Sequence, residues 1–444
     1  MKLPVTPPAL PTLLQQAGDR LGTIFDLGLG PEVRGVYEHW DHLRHLAPPE
    51  GHSHEEWWLG LKLARQALRR PLPLHDKQGK PFGIVLGDSL QRRLFLVARD
   101  AAGALRGTDA LPASTMRDRY LMRSLIEEAV TSSQLEGAST TTPVAKQMLL
   151  TRRAPRDYGE RMIVNNYRTM EELKRWVGKP LTPRTVLEIH RMLTDGTLDD
   201  PASTGRFRRV DEDIVVQDET GRILHVPPAA GELPSRLQAL CDFANEGDDA
   251  ETFLHPVVRA ILIHFMIGYD HPFVDGNGRT ARALFYWSML NAGFWMTEYI
   301  SISSILRRAP GQYTRAYLQT ETDDSDATYF VSHQLDVLIK SIESLHLYIT
   351  RKQQARHDAE TLLKPGSKLA RQLNHRQRAL LLNALKHPDK AFTIAVHRRT
   401  HDIAYDTARA DLQGLAAASL MKQSRQGKEF LFHAVPGLDG KLRR

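Results

Sequence analysis

Apolar residues along this chain fall into two rhythms. The stretches Val257-Val-Arg-Ala-Ile-Leu-Ile-His-Phe-Met-Ile267 and Ala281-Arg-Ala-Leu-Phe-Tyr-Trp-Ser-Met-Leu290 are apolar on nearly every side and predict two mostly buried helices. The polar, glycine-bearing segment between them therefore reads as a loop joining two core helices. Helical spacing recurs in Glu55–Arg65, in Arg117–Val130 running on to a stop at Gly137, and in a long region from about Ser332 through Arg351. β-rich runs at Asp213–Gln217 and Arg222–Val226, separated by Asp218-Glu-Thr-Gly221 and closed by Pro227-Pro228, predict a hairpin. A small sheet is expected around Phe82–Arg99. Near the end, helices are expected at Asn374–Leu385, after a Thr393 cap, and at Tyr405–Leu415 following a turn at His401–Ala404. Strands at Leu420–Arg425 and Lys428–His433, about a turn at Gln426-Gly427, complete that region. The chain should be mainly α.

Composition narrows the class. With 444 residues and 41% hydrophobic positions there is material for two or three cored domains. The single cysteine, Cys241, excludes an intramolecular disulfide and a cysteine-based zinc site, which suits a reducing compartment. The start, Met1-Lys-Leu-Pro-Val-Thr-Pro-Pro8, lacks a signal-type apolar core, and no window offers the ~18 apolar residues of a spanning helix. A cytoplasmic location and no membrane partner are the expectations. Charge is unevenly placed: from Gly366 to Arg444, 15 Lys/Arg face 6 Asp/Glu, so the basic excess belongs to the C-terminal module and suggests an acidic partner, nucleic acid being the commonest.

The loop between the core helices holds the chemistry. Gly276 and Gly278 let the backbone turn sharply and bring its N–H groups to an anion at the N-terminus of the next helix. Arg279 and Arg282, three apart on that helix, can reach the same side and grip a polyphosphate. Asn277 can add a donor to a phosphate oxygen. Asp275 is a hard oxygen ligand suited to a magnesium ion shared with phosphate. His271, with a free pKa near ~6.5, can take a proton from an attacking hydroxyl. His255 and His264 have no chelating spacing with His271 and read as core histidines.

His271-Pro-Phe-Val-Asp-Gly-Asn-Gly-Arg279 resembles, without departure, the signature of the Fic family, His-Pro-Phe-x-(Asp/Glu)-Gly-Asn-(Gly/Lys)-Arg. The resemblance implies a Fic helical core with a small β-hairpin flap, and an enzyme moving AMP from Mg-ATP to a Ser, Thr or Tyr hydroxyl of a target protein. In that reading His271 is the general base, Asp275 holds Mg2+, and Gly276, Asn277, Gly278, Arg279 and Arg282 bind the nucleotide phosphates. Upstream, Ser132-Ser-Gln-Leu-Glu136-Gly137 resembles the family's inhibitory motif, (Ser/Thr)-x-x-x-Glu-(Gly/Asn), on a helix at about 117–137. By that resemblance Glu136 pairs with Arg282 and prevents productive ATP binding, and in some relatives the same glutamate helps remove AMP. The hairpin after Gly205-Arg-Phe-Arg208 matches the flap in position, whose edge accepts an extended target segment by strand addition. Self-modification is expected when the brake is released.

The basic end resembles winged helix-turn-helix domains whose recognition helix carries Thr-Ala-x-x-Asp-Leu-x-x-Leu, here Thr407–Leu415, with Ala416-Ala-Ala-Ser-Leu420 where a glycine is usual. Arg398, Arg399, Arg409 and Gln413, with Lys422, Arg425 and Lys428, could meet duplex DNA, though such domains also dock proteins or dimerise. The expected organisation is a Fic-associated region at 1–110 with a packing or homodimer role, a catalytic domain at 111–362 and a winged helix at 368–436. The competing functions are a DNA-binding regulator that uses the Fic core as a nucleotide sensor, and a de-AMPylating enzyme.

Overall fold

A computed structural model describes residues 2–101, 114–247, 252–363, 371–426 and 429–442. It divides into two compact units, Met1–Asp109 with Tyr120–Ile342, and Ala110–Arg119 with Glu343–Arg444. The expected boundaries at 110–111 and 368, and Gly427 and Lys428 at the expected turn, lie outside the described residues.

The first unit is built around the two apolar stretches, which form helices Pro256–Asp270 and Asn277–Asn291. Val257, Ile261, Phe265, Leu284 and Met289 are buried, because a helix apolar all round is stable only when covered on every side. Cover comes from helices Tyr158–Glu172, Pro183–Thr194 and Leu233–Asn245. The helix Ser114–Leu135 ends as expected, with Gly137 at φ 94°. The hairpin pairs Val216 with His225 and Gln217 with Ile223, in strands of only two and three residues.

The N-terminal part packs Trp40, Trp57, Trp58 and Leu61 into its own cluster. Its helix, His54–Leu68, starts with a capping box of Ser53 and Glu56. The small sheet expected at Phe82–Arg99 is displaced. The strands are Arg70–His75 and Pro81–Ile84, whereas Asp88–Ala101 is a helix whose buried Leu90, Leu94, Val97 and Ala101 recur at helical spacing. This part is joined to the core by buried polar contacts: Arg65 donates to the Tyr329 hydroxyl (2.9 Å) and Tyr37 to Asp326 (2.6 Å).

In the second unit helices His375–Lys386, Ile394–His401 and Tyr405–Ala417 surround Leu381, Ala408, Leu412 and Phe432. Thr393 caps the second of these through the Val396 N–H (3.2 Å). Strand Glu429–Ala434 lies between Met421–Gln426 and a strand the pattern did not reveal, Phe392–Thr393, too short to show alternation. The aspartate of the Thr-Ala-x-x-Asp-Leu pattern, Asp411, is buried and accepts from Asn374, Arg376 and His397, so it braces three helices. Where a glycine is usual, Ser419 takes φ 56° and closes the helix, with the Leu420 N–H bonded to the Leu415 carbonyl (3.0 Å).

Candidate active site

The loop is shaped by backbone conformations that few residues adopt. Helix Pro256–Asp270 ends at His271, itself left-handed (φ 44°, ψ 58°) with its N–H on the Ile267 carbonyl. Such a backbone costs an ordinary L-residue roughly 1–2 kcal/mol, so contacts around it must compensate. Gly276, at φ 82°, opens helix Asn277–Asn291, and a Cβ there would lie 2.7 Å from Thr194 Cγ2, so glycine is required on both counts.

Asn277 braces the loop from within. Its Oδ1 accepts from the Phe273 N–H (3.0 Å) and its Nδ2 donates to the Phe273 carbonyl (2.8 Å), so the side chain expected to meet phosphate is engaged by backbone. His190, which the sequence reading missed, reaches in from helix Pro183–Thr194. Its Nε2–H donates to the Asp275 carbonyl (2.9 Å), its Nδ1 accepts from the Gly205 N–H (3.0 Å), and its ring stacks on Phe273 at 3.7 Å. Burial lowers its pKa to about 4, which keeps the neutral form that this donor-and-acceptor pair requires. The only signal was one histidine on the apolar face of Leu187-Glu-Ile-His-Arg-Met-Leu193.

His271 donates Nδ1–H to the Gly268 carbonyl (3.2 Å), which leaves Nε2 as the acceptor. Burial lowers its pKa to about 4, so the ring is an uncharged base at neutral pH. It faces a cavity of about 360 Å³ together with Gly278 and Arg282, walled by Val216 and Leu224 of the hairpin and by Tyr313 and Tyr317. His225, also missed, ties the hairpin down: its Nε2 lies 2.7 Å from the Tyr269 carbonyl and its Nδ1 2.8 Å from Glu321.

The two arginines have separate partners, although sequence spacing gave them one. Arg279 is buried, its Nη2 on Asp275 (2.9 Å) and its Nη1 on the Leu193 carbonyl (3.1 Å). Arg282, equally buried, donates Nε to Ser132 Oγ (2.8 Å) and Nη2 to the Ser132 carbonyl (3.1 Å) and Glu136 Oε1 (2.8 Å). Burial opposes ionisation of Glu136, yet Arg282 and then Arg279 hold its carboxyl below the ordinary glutamate range. That carboxylate lies over Gly278, where a Cβ would overlap Oε1 and stand 3.0 Å from Arg282 Nη1. Glu136 thus sits against the first turn of helix Asn277–Asn291, the position that favours an anion. Gly137, in its left-handed conformation, turns the chain away directly afterwards.

The helix Ser114–Leu135, which leads to Glu136, is docked by polar contacts. Glu128 is buried and accepts from Ser301 Oγ (2.7 Å), the Ser303 N–H (3.1 Å) and Ser303 Oγ, while Ser124 donates to the Glu298 and Ile300 carbonyls.

Asp275 has one oxygen on Arg279 and a side chain 43% exposed. Among the described residues no three His, Cys, Asp or Glu side chains cluster to hold a metal ion. This donor set fits magnesium, which needs one or two carboxylates and takes substrate phosphate and water for its remaining ligands. His264 is a core residue, bonded to the Tyr313 hydroxyl (2.7 Å), and His255 caps helix Pro256–Asp270. In the second unit Arg398 and Arg399 are exposed on one helix. Arg409 is exposed on the next, with the half-buried Gln413 one turn further along.

A buried helix pair whose loop presents a neutral histidine, a carboxylate and two buried arginines defines a helical domain with its polar site at the junction of the pair. Residues 180–289 match the Fic/DOC family. It is 28% identical over 194 residues to the protein adenylyltransferase Fic of Nematostella vectensis, covering 42% of each chain. To the protein of that name from Drosophila willistoni it is 36% identical over 114 residues, 26% of this chain and 20% of that one. It thus spans less than half the length of these relatives. Among solved structures, a Fic family protein from Desulfovibrio desulfuricans G20 is 17% identical with a TM-score of 0.49, covering 78% of this chain and 97% of that one. IbpAFic2 covalently tethered to Cdc42 is 14% identical with a TM-score of 0.35, covering 74% and 94%.

Proposed function

We propose that this protein is an adenylyltransferase that moves AMP from ATP to a Ser, Thr or Tyr hydroxyl of a target protein, and that Glu136 holds it inactive through Arg282. The observation that carries the reading is the 2.8 Å contact of Glu136 with Arg282 beside His271, in one cavity. His271 Nε2 accepts the hydroxyl proton as that oxygen bonds to the α-phosphorus, and the bond to the β-phosphate oxygen breaks to release pyrophosphate. The first turn of helix Asn277–Asn291 and Arg282 stabilise the phosphate charge. Magnesium held by Asp275 would neutralise charge on the departing pyrophosphate. While Arg282 is paired with Glu136 it cannot also orient the terminal phosphate. The matched relatives' name, protein adenylyltransferase, supports the same chemistry.

The deciding experiment is label transfer from α-labelled ATP in wild type, Glu136→Gly, and Glu136→Gly with His271→Ala. Label should be weak in wild type, strong in the single variant, and reduced roughly 10²–10⁴-fold in the double variant. No label in any lane, with magnesium and candidate targets present, would sink the proposal.

A second reading concerns the basic unit. Its helix, turn, helix and hairpin order supports a winged helix, and the exposed Arg398, Arg399 and Arg409 support duplex DNA as its partner. A gel shift that weakens steeply with salt and is reduced by Arg409→Ala is the expected result. Binding unaffected by salt would remove it.

A further inference from the structure

We propose that Arg208 is a positioning residue for His271, clamping the left-handed backbone on which the base is carried and linking it to the hairpin. This rests on the AMP-transfer reading. Arg208 is buried, and each of its contacts falls on backbone oxygen at this junction. Nε donates to the His271 carbonyl (2.8 Å), Nη2 to the Pro228 carbonyl (2.5 Å) and more distantly to that of Asp270 (3.5 Å), and the Arg208 N–H donates to the Pro272 carbonyl (2.9 Å).

The Asp270 carbonyl is among the last four that a helix leaves without intrahelical partners, and those of the C-cap His271 and of Pro272 follow directly after it. Here one arginine meets all three, where the chain departs from helical geometry (φ 44°). Charge contributes as well as geometry, since a guanidinium suits the negative end of a helix. Three residues earlier the Gly205 N–H is held by His190, whose other nitrogen holds the Asp275 carbonyl. The segment 205–208 therefore fixes the loop at its two ends, the base at one and the carboxylate at the other. Pro228 lies just beyond the second strand, so the same guanidinium sets the hairpin's exit relative to the base. Arg208 touches backbone alone and should affect turnover more than ATP binding. Lysine keeps the charge but concentrates its donors on one nitrogen, without the rigid fork that spans the His271 and Pro228 carbonyls.

The test places Arg208→Met and Arg208→Lys in the Glu136→Gly protein and measures AMP transfer against ATP concentration, with hydrogen exchange at the His271 and Phe273 amides. The expected result for Arg208→Met is a kcat roughly 10- to 100-fold lower, a KM for ATP within about twofold, and faster exchange at both amides, with lysine intermediate. A rise in KM alone, or unchanged exchange in the folded variants, would overturn the assignment. If the Glu136→Gly parent itself transfers no AMP, the AMP-transfer reading fails, and the exchange result by itself upholds or overturns the clamp.

Discussion

His271 combines reactivity with backbone strain, and its surroundings account for both. Its pKa of about 4 means the ring loses its proton far below neutrality, so the base form persists as pH falls from 8 to about 5. AMP transfer by Glu136→Gly should therefore hold roughly level across that range and drop only at about 4 or below, because the variant lacks the Glu136 carboxylate that raises the His271 pKa. An acid limb near ~6.5, the unperturbed value, would show that the ring is solvated in the working enzyme. Ser419 is a second strained position. Replacing it with glycine removes a left-handed penalty at some cost in unfolded-state entropy, for a net gain of up to about 1 kcal/mol. Calorimetry of the full chain should show the transition that contains the C-terminal helices moving upward, and a downward shift would mean the serine hydroxyl supports the turn.

At the scale of elements, the helix Ser114–Leu135 matters most, because the proposed brake would be only as strong as its docking. Glu128 lies two turns before Glu136, touches neither arginine at hydrogen-bonding distance, and makes three hydrogen bonds to the Ser301–Ser303 segment. Hydrogen bonds to a charged group are worth about 1.5–3 kcal/mol each, so Glu128→Ala should free the helix enough to raise AMP transfer about tenfold or more. Wild-type activity in that variant, while Glu136→Gly is active, would mean the helix is held elsewhere. The same contrast shows what could be read from the sequence. His271, Asp275, Arg279, Arg282 and Glu136 were legible because they lie in two short segments whose order is itself the signal. Asn277 was legible as a member of the site, but its bond to Phe273 was not, since residue type does not say which partner a side chain chooses. His190, His225 and Glu128 act across 44 to 175 positions of chain, and no local periodicity marks them. The strand Phe392–Thr393 was missed for the opposite reason, being too short to carry a period.

At the scale of the whole molecule, buried histidines tie the first unit to pH. His39 accepts the Asp41 N–H on Nδ1 (3.1 Å), a bond that needs the neutral ring, and burial lowers its pKa to about 4, as it does for His333. Between about 6.5 and 4 the unfolded chain then binds more protons than the folded one, so stability is complete above 6.5 and is lost as pH falls through that window. Asp270 opposes this, because burial raises its pKa to about 6 and the folded state gains a proton there, but His190 and His271, also lowered to about 4, act with His39 and His333. The melting temperature should be lower at pH 5 than at pH 7. His39→Asn, which keeps an acceptor for the Asp41 N–H at the start of helix Trp40–Leu43 and cannot titrate, should flatten that slope. An unchanged slope would exclude His39 as a contributor.

The hairpin beside the cavity has strands of two and three residues. A target segment added along so short an edge would gain two or three backbone hydrogen bonds at about 0.5–1.5 kcal/mol each, a holding strength in the millimolar range or weaker. On the proposed function, such an edge would align a hydroxyl without choosing among proteins. Choice then depends on a second attachment that raises the local concentration of one partner's loop at the cavity, and isolated peptides copied from a modified protein should be far poorer acceptors than the folded protein that displays them.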